Sequence, residues 1–139
     1  MSIFLDDYRE QPDYRVQKAL AIEFWAEPWQ PLPSGITGCC GVCLVKSYRG
    51  WMYSEPSAHH LIIPRNYTRD LDKTVNWWWN LVPVHELCHK EAHGKLMRAR
   101  LARYLARQIG NGNEAVGLEW LKEQVILEEL KFEVHLPAF

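Results

Sequence analysis

The chain has 139 residues, a length suited to one compact domain, and its 47% hydrophobic and 24% charged residues are those of an ordinary soluble globular protein. Sixteen Lys+Arg against seventeen Asp+Glu leave a net charge of -1, which excludes the global basic field that marks many nucleic-acid binders. The apolar runs fall far short of the roughly 20 residues that span a bilayer, and MSIFLDDYRE lacks a signal-peptide pattern. The expectation is a cytoplasmic protein with no membrane partner.

The charge is divided all the same. Lys90 to Arg107 holds six basic residues and one acidic, whereas Glu114 to Glu133 holds six acidic and two basic. In chain order, residues 1–38 read as an N-terminal extension, helical or irregular. Asp13 can cap a helix through Tyr14, Val16, Ala19, Leu20, Ile22 and Phe24, which Pro28, Pro31 and Pro33 stop. Gly35, Gly38 and Gly41 surround a cysteine cluster and suit a tight turn. Leu44 to Tyr53 and Ala58 to Ile63 read as strands joined by a turn at Ser54–Ser57, with Pro64 ending the second. A polar loop from Arg65 to Asn76 and an apolar run through Trp79, Leu81, Val82 and Val84 follow. From Glu86, the recurrence of Leu87, Leu96, Leu101, Leu105 and Ile109 predicts helix up to Gly110. Residues 110–139 are expected as an amphipathic helix packed on the core, spanning about Glu114 to Lys131 with Val116, Leu118, Trp120, Leu121, Val125, Leu127 and Leu130. The fold class is α+β.

Two short-spaced pairs carry chemistry. Cys40-Gly-Val-Cys43 is CxxC and His85-Glu-Leu-Cys88 is HxxC. Two such pairs separated by a long insert are what a tetrahedral Cys3His zinc site needs, because each turn supplies two ligands. The bland alternative is a set of buried reduced cysteines packed as small hydrophobes. Cys39 is either a bystander or a substitute for Cys40. Five histidines fall between positions 59 and 93: His59, His60, His85, His89 and His93. His89 and His93 are four apart on the predicted helix and can grip one cation from one face. His59 and His60 alternate across a strand, so one can bind metal while the other acts as a base.

The strings HHLIIPR (His59–Arg65) and NLVPVHELCHKEAHG (Asn80–Gly94), with Cys40xxCys43 upstream, closely resemble the HNH, or ββα-metal, nuclease family. His85 stands where that family usually has cysteine, and histidine is an equally good zinc ligand. The match covers roughly residues 40–94, placing a nuclease domain in residues 39–109. The resemblance implies a ββα-metal core stapled by zinc on Cys40, Cys43, His85 and Cys88. It implies His60 as the general base that activates water, Asn80 as the residue orienting loop, base or metal, and one catalytic cation on His59, His89 and His93. That cation would be Mg2+, Mn2+, Ni2+ or Zn2+; histidines suit the last three, whereas magnesium prefers oxygen. The implied activity is metal-dependent DNA cleavage, in a phage, mobile-element or restriction setting.

Arg65, Lys95 and Arg98 are the expected phosphate contacts, each with a solvated arginine or lysine as its plain alternative. The acidic last helix has the wrong sign for DNA and suits the core, a protein partner or a homodimer contact. Two other functions compete. His85-Glu86-Leu87-Cys88-His89 also spells HExxH, a zinc-protease motif with Glu86 as base, but it leaves Cys40, Cys43, His59, His60 and Asn80 without roles. A non-catalytic zinc-stabilised module binding DNA or protein would need no base at His60.

Overall fold

The computed structural model describes residues 13–63 and 76–127, so Arg65, most of the predicted polar loop and the last predicted turn of the final helix lie outside the described residues. Helix α1 (Tyr14–Ala26) begins where Asp13 Oδ1 accepts from the backbone N–H groups of Arg15 (2.8 Å) and Val16 (3.3 Å). The turn Glu27–Trp29, with Pro28, ends it. Its buried face carries Gln17, Ala21 and Trp25, at i, i+4 and i+8, whereas Leu20 faces solvent. Gln17 is satisfied inside the protein, since its Oε1 accepts from the Trp78 N–H at 2.9 Å.

Strand β1 (Gly38–Cys39) leads into a short helix α2 (Gly41–Val45) and strand β2 (Trp51–Met52), which pairs antiparallel with β1. The strand expected from Leu44 is therefore only its last part, because the chain first winds around Cys40–Cys43: Leu44 N–H bonds Cys40 C=O and Tyr48 N–H bonds Cys43 C=O. Nor do the two predicted strands form one hairpin. Strand β3 (Ser57–His60) instead pairs with β4 (Leu81–Val84) in a second antiparallel sheet, His59 opposite Val82 and His60 opposite Leu81.

A 3-10 turn at Trp78–Asn80 leads into β4, and helix α3 (Glu86–Ala92) follows β4 directly. The single helix expected from Glu86 to Ile109 breaks at His93–Gly94, and α4 (Lys95–Ile109) starts afresh. The break resets the helical phase. Met97, Leu101, Ala102, Leu105 and Ala106 are buried, while Leu87 and Leu96 are exposed at 94% and 82%. Helix α5 (Glu114–Leu127), capped by Asn113, lies against α4 so closely that a Cβ on Gly117 would stand 1.7 Å from the Ala106 carbonyl oxygen. Trp25, Ile63, Val82, Val84, Leu101, Leu105 and Leu121 make one shared core. The described protein is α+β, with five helices and two small antiparallel sheets among those residues. No helix among them is long and apolar enough to cross a membrane.

Candidate metal centres

Two clusters of metal-ligating side chains emerge from this arrangement. The first unites the two short-spaced pairs: α2 and its preceding residue supply Cys40 and Cys43, and the start of α3 supplies His85 and Cys88. The Cys43 sulfur lies 3.5 Å from His85 Nδ1 and 3.9 Å from the Cys88 sulfur, and Cys88 Sγ lies 3.7 Å from the same Nδ1. Sulfur and nitrogen ligands on one tetrahedral zinc ion stand about 3.6–3.8 Å apart, from bond lengths near 2.3 and 2.05 Å. The spacing fits. His85 Nε2–H donates to the Trp51 carbonyl at 3.3 Å, which leaves Nδ1 as the ligating nitrogen, and the His85 N–H points at Cys40 Sγ at 3.4 Å.

The donor chemistry also fits a cation. Burial, then the neighbouring Cys40 and Cys88, push the Cys43 thiol up to about 12, and burial with Cys40 raises Cys88 in the same direction. Such thiols keep their protons at neutral pH unless a divalent cation replaces them. All four cysteines are free of disulfides. Cys39 is buried on β1 outside the cluster, its thiol raised by burial and by Cys40, so Cys40 is the candidate ligand of the two.

Gly50 completes the first cluster, and spacing alone does not single it out. Its φ is +65°, its C=O accepts from Cys40 N–H at 2.8 Å, and an added Cβ would stand 2.6 Å from Cys43 Cβ. Only glycine allows both the left-handed backbone and that approach. The Arg49-Gly50-Trp51 turn was the available signal.

The second cluster joins His59 of β3 to His89 of α3 and His93 at its C-terminal end, with ligand nitrogens all within 4.8 Å of one another. The His89 and His93 rings stack at 5.1 Å, and both meet the His59 ring edge-on, at 5.2 and 4.7 Å. His59 is 1% exposed, and neither of its ring nitrogens has a hydrogen-bond partner among the described residues. Burial, then His93, His89, Arg98 and His60, holds its pKa down at about 3; burial and His93 lower His89. Both shifts favour the neutral imidazole, whose lone pair is available to a cation. Exposure rises from His59 through His89 to His93, so the cluster opens towards solvent on the His93 side.

His60 follows on the strand, half-buried, with Nε2 3.1 Å from Asn76 Oδ1. Asn80 is fully buried at the start of β4. Its Oδ1 accepts from the N–H groups of Ile62 (2.7 Å) and Ile63 (2.8 Å), and its Nδ2 donates to the Ile63 carbonyl at 3.0 Å. These bonds fix the chain as it leaves the two histidines, which is the loop-orienting role among those open to Asn80.

The basic residues divide. Arg98 Nη2 donates to the Leu61 carbonyl at 3.3 Å, beside the histidine cluster, and Lys95 is exposed on the first turn of α4. Arg103 and Arg107 both pair with Glu114 of α5, and Arg100 bonds the Val45 carbonyl. His85 and His89 belong to different clusters and Glu86 is exposed, so the HExxH string assembles no single site. An open groove lined by Leu20, Glu23, Phe24, Glu27, Gln30 and Trp78 shares no residue with either cluster.

No family model, curated protein or solved structure matches the chain. Function has to be read from the two clusters and their neighbours.

Proposed function

We propose that the protein is a divalent-cation-dependent endonuclease of the ββα-metal (HNH) type that hydrolyses DNA phosphodiester bonds. The observation that carries this reading is the His59–His89–His93 cluster. A wholly buried imidazole with neither nitrogen partnered among the described residues is costly in a structural role and expected in a ligand. Its neighbours support the reading: His60 is the next residue of the same strand, and Asn80 braces the loop that follows.

Cys40, Cys43, His85 and Cys88 would hold a structural zinc, and the three histidines a catalytic cation. Bound there, the cation would relieve charge on the scissile phosphate and on the departing oxygen. His60 takes a proton from water as the water oxygen attacks phosphorus; a P–O ester bond breaks and the leaving oxygen is protonated from solvent. His59, His89 and His93 offer imidazole nitrogens and leave the solvent side open to a phosphate. Arg98 and Lys95 lie where the backbone of a nucleic acid can be held, with Arg65 as a third candidate. The choice of DNA over RNA comes from the family resemblance.

The test is plasmid cleavage by purified protein and a His60→Ala variant, treated with chelator and supplied in turn with magnesium, manganese, nickel and zinc. Cation-dependent nicking or linearisation that disappears in the variant, with zinc retained on the cysteine cluster, is the expected result. Equal inactivity of both proteins under every cation, with that zinc bound, refutes cleavage and leaves a binding module.

A further inference from the structure

The proton-accepting role just proposed makes a demand on His60 that its own strand cannot meet. A neutral imidazole carries one proton, on either nitrogen, and a base must offer the other nitrogen bare and correctly aimed. A group is needed that holds the proton on one side. Among the described residues, Asn76 stands in that position, with Oδ1 3.1 Å from His60 Nε2.

Asn76 is itself well anchored. It precedes Trp77, whose side chain is buried and whose C=O accepts from the Asn80 N–H at 2.8 Å. The next residue, Trp78, donates its N–H to the buried Gln17 of α1 at 2.9 Å. The chain at Asn76 is therefore tied to the braced Asn80 turn and to α1, and does not depend on His60 for its place. Nε2 of His60 also faces a group other than those of its neighbour: His59 meets His89 and His93, while His60 Nε2 meets Asn76 Oδ1.

We propose that Asn76 is the positioning residue for His60: its side-chain carbonyl accepts the Nε2–H, fixes the tautomer that leaves Nδ1 unprotonated, and sets the plane of the ring. The inference rests on His60 being the base, but the tautomer can be read without any cleavage. Asparagine suits the task because it can present an acceptor without adding a negative charge beside the cation site.

The test uses the full chain, zinc-loaded, with histidine nitrogens labelled for long-range nitrogen–proton NMR at neutral pH. His60 signals are assigned by their loss in His60→Ala. Wild-type His60 is expected as the Nε2–H tautomer, Asn76→Ala as a mixture, and Asn76→Asp, which can only accept, as wild type. In plasmid cleavage, Asn76→Ala lowers kcat by about 10- to 100-fold with little change in KM, and Asn76→Asp recovers most of it. The urea midpoint of Asn76→Ala stays at the wild-type value, which a general structural defect would not reproduce.

An Nδ1–H tautomer in wild type overturns the proposal, as does an Asn76→Ala variant with unchanged tautomer and kcat, or one that loses activity only because its urea midpoint has fallen. If Asn76→Ala does not fold, the wild-type tautomer and Asn76→Asp decide. If wild type cuts nothing under any cation, the nuclease reading fails, and the tautomer still decides what Asn76 does to His60.

Discussion

His59→Leu separates the histidine cluster as a ligand site from the same residues as mere packing. In the folded protein His59 is 1% exposed and both ring nitrogens lack partners among the described residues. Each buried polar atom left unmade costs about 1–3 kcal/mol. Two of them give about 2–6 kcal/mol of stability forgone, a large share of the 5–15 kcal/mol typical of a domain. Leucine has similar bulk and no polar atoms, so the variant, with zinc on its cysteine cluster and no second cation, should be more stable than wild type by about 2–4 kcal/mol after imperfect packing is allowed for.

The second half of the experiment is the cation response. Wild type should gain about 2.7 kcal/mol when a divalent cation is raised to a hundred times its dissociation constant, and the variant should gain nothing. Urea titration followed by tryptophan fluorescence, with and without manganese or nickel, measures both. A His59→Leu protein that is less stable than wild type, or that still responds to the cation, would show that the three imidazoles are not a binding site and that His59 has a structural role. Activity should vanish in the variant although its fold is firmer, the usual opposition between a functional site and stability.

Three further outcomes follow from particular atoms. His59 is held at about 3 in the folded protein against 6.5 when unperturbed, so between those values the unfolded chain carries a proton that the folded one lacks. Stability of protein with an empty histidine cluster is then full above pH 6.5 and falls with pH through that window, by at most about 1.4 kcal/mol per pH unit. The difference in urea midpoint between wild type and His59→Leu across pH isolates this slope, and parallel curves refute it. Gly50→Ala, with φ +65° and a Cβ forced to 2.6 Å from Cys43 Cβ, should cost about 2–4 kcal/mol and weaken cobalt binding at the cysteine cluster. Cobalt titration with urea unfolding checks both effects. Stripping the cysteine-cluster ion should abolish cation binding at the histidines, whereas emptying the histidines should leave the cysteine cluster loaded; isothermal titration after selective chelation reads the order.

What the sequence reveals here depends on whether the determining contacts are local. Asp13, the CxxC and HxxC pairs, and His89 with His93 act within one turn of chain, so spacing alone locates them. Alternation is equally local, and it separates His59, buried, from His60, half-buried. The errors arise where distant contacts decide. Leu44 and Val45 have strand-forming neighbours, yet the ligand turn at Cys40–Cys43 winds them into helix. Leu87 and Leu96 fit one continuous helical stripe until Gly94 breaks it, and Met97 takes the buried position instead. Gln17 pairs with a backbone group 61 residues away, and Asn76 meets His60 across 16, so neither role is visible in any window of sequence.

Helix α3 shows why two clusters are better placed on one element than on two. Seven residues are too few for a helix to persist alone, since isolated helices below about 12–15 residues are marginal in water. Its buried surface is small: Ala92 is the buried residue of the helix and Leu87 is almost wholly exposed. Apolar packing therefore cannot be what holds it. Its N-terminal end is instead fixed by His85 and Cys88, whose donor atoms converge with Cys40 and Cys43. At 100° per residue, His89 and His93 follow on the adjoining face, roughly a quarter-turn from the first pair. An ion on the thiol side would fix the axis and rotation of α3, and with them the direction in which His89 and His93 point at His59. The stability of an ion at the first cluster would in this way be converted into the geometry of the second.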